Sequence, residues 1–484
     1  MSGITLLGLG PGNPAQLTRE AWQVLSSARE IWLRTRQHPV VAAFPGSLEI
    51  HSFDEFYENG ESFNEVYEKI SGQVIDLGRR DEGVLYAVPG HPFVAESTSN
   101  RIARLADEEG IPLRVVAGLS FLEPVFAAIQ RDPFPQLTLC DAMELSVAHV
   151  LSFPPDRPVL IAQLYSRLVA SEVKLALNTL YPDQHPVHLI HAAGTPEEVV
   201  EDLPLYQVDR SEHIGVLSSL YVPPLAKGYS LESFQEIVAH LRAPDGCPWD
   251  REQTHQTLRP HLLEETYECL AAIDQDDLDG MREEFGDLLL QIVLHAQIAT
   301  EGGAFTLNEV IKQIYDKIVR RHPHVFGDLR LEGVSGVLQN WEKLKEQERN
   351  GKKEHKGLLD GVPGAFPALS QAQEYQDRAA RVGFDWPLIE GVLDKIAEEI
   401  LEIKEAPDGE SLEGEIGDLF FVLVNLARWK GVDAESALRR TNRKFKERFG
   451  FIELHAREQG VSLSDMTLEQ MDALWEQAKR LEAD

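Results

Sequence analysis

The chain has 484 residues, too many for one hydrophobic core, and its length predicts about three domains. Asp and Glu number 79 against 46 Lys and Arg, and the net charge of −33 argues against binding nucleic acid polymers or anionic membranes while calling for bound cations. The hydrophobic fraction of 43% is ordinary for a globular protein, and no uninterrupted apolar run approaches the roughly 18 residues of a membrane span.

The N-terminus, MSGITLLGLGPG, has no basic segment and no small-residue cleavage site, so secretion is not expected. Cys140, Cys247 and Cys269 lack CxxC spacing and fit reduced thiols in a soluble, cytoplasmic protein. ITLLGLGPG reads as a short strand ending in glycines, followed by a helix with Thr18 as its N-cap. Gly8, Gly10 and Gly12 do not fit the GxGxxG fingerprint, because Asn13 stands at the sixth position, and no GK[ST] follows. Further strands are predicted at GVLYAVPG, LRVVAG, RPVLIAQL and HPVHLIHAAG, separated by helical stretches, the alternation of an α/β domain. Their carboxyl ends carry Gly90-His91-Pro92, Gly118-Leu119-Ser120 and Gly194-Thr195. Glycine loops at strand ends are where open α/β sheets bind ligands, although the same glycines also suit tight turns.

The order GLGPG, PGHP, AGLS and then a second α/β half resembles the tetrapyrrole methylase family over about the first 220 residues. The resemblance implies a two-lobed α/β domain, taken as residues 1–224, that binds S-adenosylmethionine. It carries over Gly8, Gly10, Gly12, Gly90, Pro92, Gly118 and Ser120 as candidate cofactor contacts, with His91 standing where the family usually has Asp in Gly-Asp-Pro.

VPPLAKGYS reads as a linker, and beyond it the strand pattern gives way to helices. If Pro260 opens a helix, i,i+3 spacing puts Glu265 and Glu268 on one face with Glu264 beside them. Glu284 and Asp287 repeat the spacing on the next helix, and the short polar turn IDQDDLD makes the two helices antiparallel neighbours. Converging carboxylates need cations, and an oxygen-only ligand set selects Mg²⁺ or Mn²⁺. One EExxE alone would be a solvated helix face. Here the pattern recurs: Glu398, Glu399 and Glu402 reproduce the first cluster, and Glu415 and Asp418 the second. EEFGDLLLQIVLHAQ aligns on GEIGDLFFVLVNLAR, with Gly286 on Gly417. A mid-helix glycine costs about 1 kcal/mol relative to alanine, so its recurrence predicts close approach of a helix or ligand there.

NGKKEHKG, a second polar linker, divides the half into two copies of one helical module, residues 225–355 and 356–484. After each acidic set comes an i,i+4 cation pair, Lys317 with Arg321 and Lys444 with Arg448, suited to holding a triphosphate. His322 and His324 flank Pro323 without a third ligand and are expected to be structural. GCPWD is mirrored by GFDW, whose Trp can stack on a base or plug the end of a helical bundle.

GCPWDREQTHQTLRPHLLEETYECLAAI, EEFGDLLLQIVLHAQIA, RRHPHVFGD, VGFDW, EIGDLFFVLVNLAR and NRKFKERF resemble, in this order, the MazG family of nucleoside triphosphate pyrophosphohydrolases over nearly all of residues 230–480. The resemblance implies an all-α, dimeric enzyme in which Mg²⁺, held by ExxE and ExxD pairs, serves hydrolysis of nucleoside triphosphates to monophosphate and pyrophosphate. Its metal ligands map onto Glu265, Glu268, Glu284 and Asp287 in the first module, and Glu399, Glu402, Glu415 and Asp418 in the second. Glu264 and Glu398, beside the ligands, are candidates for the general base or an orienting group. Two other classes are a methyltransferase with the helical half as a dimerisation arm, and a metal-stabilised scaffold; neither needs eight convergent acids.

Overall fold

A computed structural model describes residues 3–59, 62–337, 340, 341, 344, 357–407 and 409–481. The chain divides into two compact units, Met1–Glu252 and Gln253–Asp484.

The first unit contains two five-stranded sheets. One is wholly parallel, in the order β3 (Glu49–Ser52), β2 (Glu30–Leu33), β4 (Val84–Val88), β1 (Ile4–Gly8), β5 (Leu113–Val116). Helices α1 (Arg19–Ser27), α2 (Asp54–Asn59), α3 (Phe63–Gly78) and α4 (Ser97–Glu109) connect its strands. Strand residues alternate between faces, and both faces are covered. Ile4, Leu6 and Tyr86 pack with Ile70, Val74 and Ile102 on one side. Leu7, Ala87 and Ile31 pack with Ala21 and Leu25 on the other. Thr18 caps α1 as expected, its Oγ1 accepting from Ala21 N–H at 3.1 Å, and the same hydroxyl donates to the Ala117 carbonyl at 3.1 Å.

After α5 (Leu122–Ile129), the second sheet runs β6 (Thr138–Asp141), β7 (Val159–Ala162), β10 (Ser218–Val222), β8 (Pro186–His191), β9 (Val199–Pro204). Only β6 and β7 are parallel, so this sheet is mixed. Helices α6 (Ala142–Ser146) and α7 (Arg167–Leu177) belong to this half, with Val169, Ala170 and Val173 of α7 in its core. Then come α8 (Leu231–Arg242) and α9 (Pro248–Glu252). The N-cap of α8, Ser230, donates to Asp156 at 2.8 Å, and Ser233 bonds the same carboxylate, which ties α8 to the first unit.

The second unit is helical. α10 (Arg259–Asp274) and α11 (Leu278–Glu301) form an antiparallel pair, followed by α12 (Leu307–Arg321) and the short α13 (Pro323–Phe326). Pro260 lies in the first turn of α10, and Asp277 caps α11 by accepting from Gly280 N–H at 3.1 Å. The second copy is built from α14 (Ala368–Arg381), α15 (Ile389–Glu405), α16 (Glu410–Trp429), α17 (Ala434–Glu458) and α18 (Leu468–Leu481). The copies touch where Arg443 of α17 donates to the Asp274 carbonyl, with Arg439 Nε 3.4 Å from the Asp274 carboxylate. These cations sit at the carboxyl end of α10, where the helix dipole favours them. Among the described residues, no helix is long and apolar enough to cross a membrane. The NGKKEHKG linker lies outside the described residues except for its last, Gly357.

Candidate functional site

In the first module, α10 sets Glu265 and Glu268 one turn apart and α11 brings Glu284 opposite them. Carboxylate oxygens of these three lie within 4.8 Å of one another. Asp287 is not in this tight group, yet it is the largest charge acting on Glu265. Burial and then repulsion from Asp287, Glu268 and Glu264 raise the Glu265 pKa. Burial and then Glu268, Glu283 and Asp287 do the same to Glu284. Cys269, one turn beyond Glu265, is buried, and burial with the nearby Glu284 and Glu265 pushes its thiol pKa up, so a thiolate ligand is disfavoured. The available donors are carboxylate oxygens, which fit a hard divalent cation. Glu264 is exposed, with Oε2 3.7 Å from His261 Nδ1.

The second module repeats the arrangement with α15 and α16. Glu399, Glu415 and Asp418 bring carboxylate oxygens within 4.8 Å of one another, and Glu399 is only 2% exposed. Lys395 Nζ lies 2.8 Å from Glu399 Oε1 and 2.8 Å from Glu398 Oε1. Glu399 Oε2 is buried and has no hydrogen-bond donor among the described residues. A buried carboxylate oxygen without a donor, beside two further carboxylates, fits a hard cation. Glu402 is exposed and outside the tight group, but burial and then Glu399, Glu415 and Glu398 raise its pKa. Six of the eight expected ligands thus gather in two tight groups, and Asp287 and Glu402 act on those groups electrostatically.

Of the two neighbours expected at the mid-helix glycines, a helix or a ligand, the helix is not found among the described residues. Gly286 and Gly417 are exposed, and no described atom lies within 4 Å of where a Cβ would stand at either. Packing of another helix of this chain therefore does not explain these glycines.

The cation pairs lie on α12 and α17. The Arg321 guanidinium lies over the Trp341 ring at 5.9 Å, and Arg448 lies over Trp475 at 5.4 Å. Lys317 is exposed on α12. Lys444 lines a cleft of about 440 Å³ with Arg440, Thr441, Ser436 and Asp433. Trp341 and Trp475 are missed by the sequence reading, although a signal exists: NWEKLK and LWEQAK close the two modules with the same Trp-Glu-x-x-Lys spacing. His322 Nδ1 lies 2.7 Å from the Ile318 carbonyl at the end of α12, a structural use. Trp386 packs on Gly391, whose Cβ would stand 2.4 Å from the indole. Trp249 is 57% exposed.

In the first unit, the loops after β1, β4 and β5 meet at the carboxyl ends of adjacent strands. A Cβ on Gly8 would stand 2.5 Å from Gly118 N and 2.7 Å from Gly90 O, so these backbones touch only because both positions are glycine. Gly10 and Gly90 exchange backbone hydrogen bonds of 3.2 and 2.8 Å. Gly90 has φ +71° and no described atom within 4 Å of its Cβ position, which leaves room above it. Gly12 faces Thr195 of the second lobe, whose methyl would lie 3.2 Å from an added Cβ.

His91 accepts from Phe93 N–H through Nδ1 at 3.1 Å, the i to i+2 bond that an Asp makes in an Asx turn, so the departure from Gly-Asp-Pro keeps the loop geometry. Pro92 beside it is buried. Ser120 is buried, and its N–H and Oγ donate to Glu123 at 2.8 and 2.6 Å, which commits its hydroxyl to the start of α5. His38, which no sequence motif marks, is buried against the Gly10 backbone; burial pushes its pKa down to about 4 and keeps it neutral.

Comparison with known proteins bears on both units. The MazG nucleotide pyrophosphohydrolase domain matches residues 253–326 and 389–449, the segments that carry the two carboxylate groups. A Thermotoga maritima nucleoside triphosphate pyrophosphohydrolase/pyrophosphatase MazG is 48% identical over 252 residues, covering 52% of this chain and 96% of that protein. The chain belongs to the MazG family. An Escherichia coli nucleoside triphosphate pyrophosphohydrolase is 47% identical over 254 residues, 51% of this chain and 96% of its own. The tetrapyrrole (corrin/porphyrin) methylases match residues 3–209. The Bacillus subtilis protein YabN is 42% identical over 488 residues, covering 99% of each chain, and carries the same fusion of a methylase domain with MazG.

Proposed function

We propose that the protein hydrolyses nucleoside triphosphates to nucleoside monophosphate and pyrophosphate at the two carboxylate groups. The observation that carries this reading is the duplicated close approach of three carboxylates on paired helices, with a buried, donorless oxygen on Glu399. Glu265, Glu268, Glu284 and Asp287 in one module, and Glu399, Glu402, Glu415 and Asp418 in the other, would hold Mg²⁺ or Mn²⁺. When bound, such a cation supplies charge neutralisation for phosphate oxygens and lowers the pKa of water. The chain's own groups do the rest. Glu264 and Glu398 would accept a proton, and Lys317, Arg321, Lys444 and Arg448 would serve the polyphosphate tail, a role supported by the stacking of Arg321 on Trp341 and of Arg448 on Trp475. The purified protein should release pyrophosphate from nucleoside triphosphates only with Mg²⁺ or Mn²⁺. Orthophosphate as the primary product would mean β–γ cleavage and sink the assignment.

Residues 225–355 and 356–484 act in this reading as two modules of a cytoplasmic homodimer joined through its helical half. Support comes from apolar stripes on α11 and α16, where Phe285, Leu289 and Ile292, and Ile416, Phe420 and Leu423, are each at least 38% exposed. Gly286 and Gly417 lie in the same open segments, so a second copy could approach the backbone closely there. Sedimentation should give twice the chain mass of 54.3 kDa. A monomer at micromolar concentration would remove the dimer.

The first domain, residues 1–224, is read as binding S-adenosylmethionine or its demethylated product over the floor made by Gly8, Gly10, Gly12, Gly90, His91, Pro92, Gly118 and Ser120. Calorimetric titration should show one site. Failure of both compounds at millimolar concentration would leave the domain a retained fold without that cofactor.

A further inference from the structure

The two carboxylate groups are not electrostatically equivalent, and the difference lies in a residue outside the ligand sets. Lys395 stands one helical turn before Glu399 on α15 and donates both to that buried carboxylate and to Glu398. In the first module the matching position, four residues before Glu265, is His261, whose Nδ1 lies toward Glu264 at 3.7 Å. A second difference adds to the first: Glu283, beside Glu284, is matched by Gly414 beside Glu415. Among the described residues, the first group therefore gathers six acids, and the second gathers five with the Lys395 ammonium. Glu399 also differs from Glu265 in burial, 2% exposed with one oxygen on Lys395 and the other without a donor.

We propose that Lys395 is a positioning residue: it holds Glu399 in place without a cation and gives up that contact when a divalent cation binds, so the second site is pre-shaped but weaker than the first. The inference rests on the reading of these carboxylates as cation sites. A fixed ammonium hydrogen-bonded to a ligand oxygen both occupies one of its lone pairs and repels an incoming dication. The first site has the opposite balance, since mutual repulsion among its carboxylates is relieved only by the cation. One unit charge at this range, with the dielectric of a partly exposed site, changes dication affinity by about tenfold or more.

The test is a titration of the full-length chain with Mn²⁺, reading free Mn²⁺ by electron paramagnetic resonance. The wild type should show a tight and a weak class, the tight one lost in Glu265→Gln and the weak one in Glu415→Gln. Lys395→Met should tighten the weak class about tenfold, leave the tight class unchanged, and lower the melting temperature without cation, with recovery at saturating Mn²⁺. His261→Lys, at a side chain 44% exposed, should weaken the tight class severalfold. Equal classes in the wild type, or a weak class that Lys395→Met leaves unchanged or weakens, would overturn the inference. A purely structural lysine would lower the melting temperature and leave Mn²⁺ affinity where it was. Should Lys395→Met fail to fold, His261→Lys decides alone, and an unchanged tight class rejects the proposal. If neither Gln variant removes any Mn²⁺ binding, the cation-site reading itself fails, which is a distinct result.

Discussion

Glu399→Ala and Asp418→Ala should each slow pyrophosphate release at the second module by about a thousandfold while leaving the first module complete. A lost ligand in a site of this kind forfeits several kcal/mol of transition-state stabilisation, because the phosphates' charge is neutralised almost entirely by the cation and its carboxylates. The chain's total activity then reports how the modules divide the work. If both turn over independently and equally, each single variant keeps roughly half the activity, and pairing it with Glu268→Ala abolishes it. Both carboxylate groups assemble, which favours two competent modules. Near-total loss from Glu399→Ala alone, in protein shown to remain folded and of unchanged oligomeric state, would overturn that view and leave the first module a non-catalytic cation site.

Much of this arrangement is legible in the sequence because it is written in local spacing. Glu265 with Glu268 and Glu284 with Asp287 share helix faces by i,i+3 periodicity, and Asp277 closes the turn between the helices, so convergence follows from the chain's own short range. The glycine loops were legible for a related reason: parallel strands put successive loops on one edge of the sheet, and Gly8, Gly90 and Gly118 do meet there. What spacing could not supply is contact between distant segments. The stacking of Arg448 on Trp475 spans a loop between two helices, and the burial of His38 against Gly10 spans a helix and a strand. Lys395 escaped for a different reason. On a helix full of acids an i,i+4 Lys–Glu pair reads as an ordinary surface ladder, and only the 2% exposure of Glu399 distinguishes it from one. At Gly286 and Gly417 the sequence admits either a helix or a ligand as the close neighbour, and the described residues place no helix of this chain there.

Arg34→Met should destabilise the first unit far more than removal of any one neutral partner of Arg34. Arg34, just past the end of β2, pairs with Glu96, whose carboxylate is 1% exposed. Its Nε donates to the Tyr57 hydroxyl at 2.8 Å, and the guanidinium lies over the Tyr67 ring at 5.5 Å. Glu96 in turn caps α4 by accepting from Thr98 N–H at 2.8 Å, while Thr98 bonds the buried Tyr86 hydroxyl at 2.8 Å. One cation thus joins β2, α2, α3 and the start of α4. Methionine keeps the length of the side chain and removes only the charge and its donors, so Glu96 is left buried without a cation. Breaking one partner of such a pair costs about 3–5 kcal/mol, well above the ~1 kcal/mol expected for Tyr57→Phe, which deletes a single neutral partner. Hydrogen exchange should localise the loss, with amides of β2 and α4 exchanging faster while α10 and α11 keep wild-type protection and pyrophosphate release continues. A loss below about 1 kcal/mol would show that water screens the pair, and it would remove the buried network as what fixes α4 and the His91 loop beside the glycine floor.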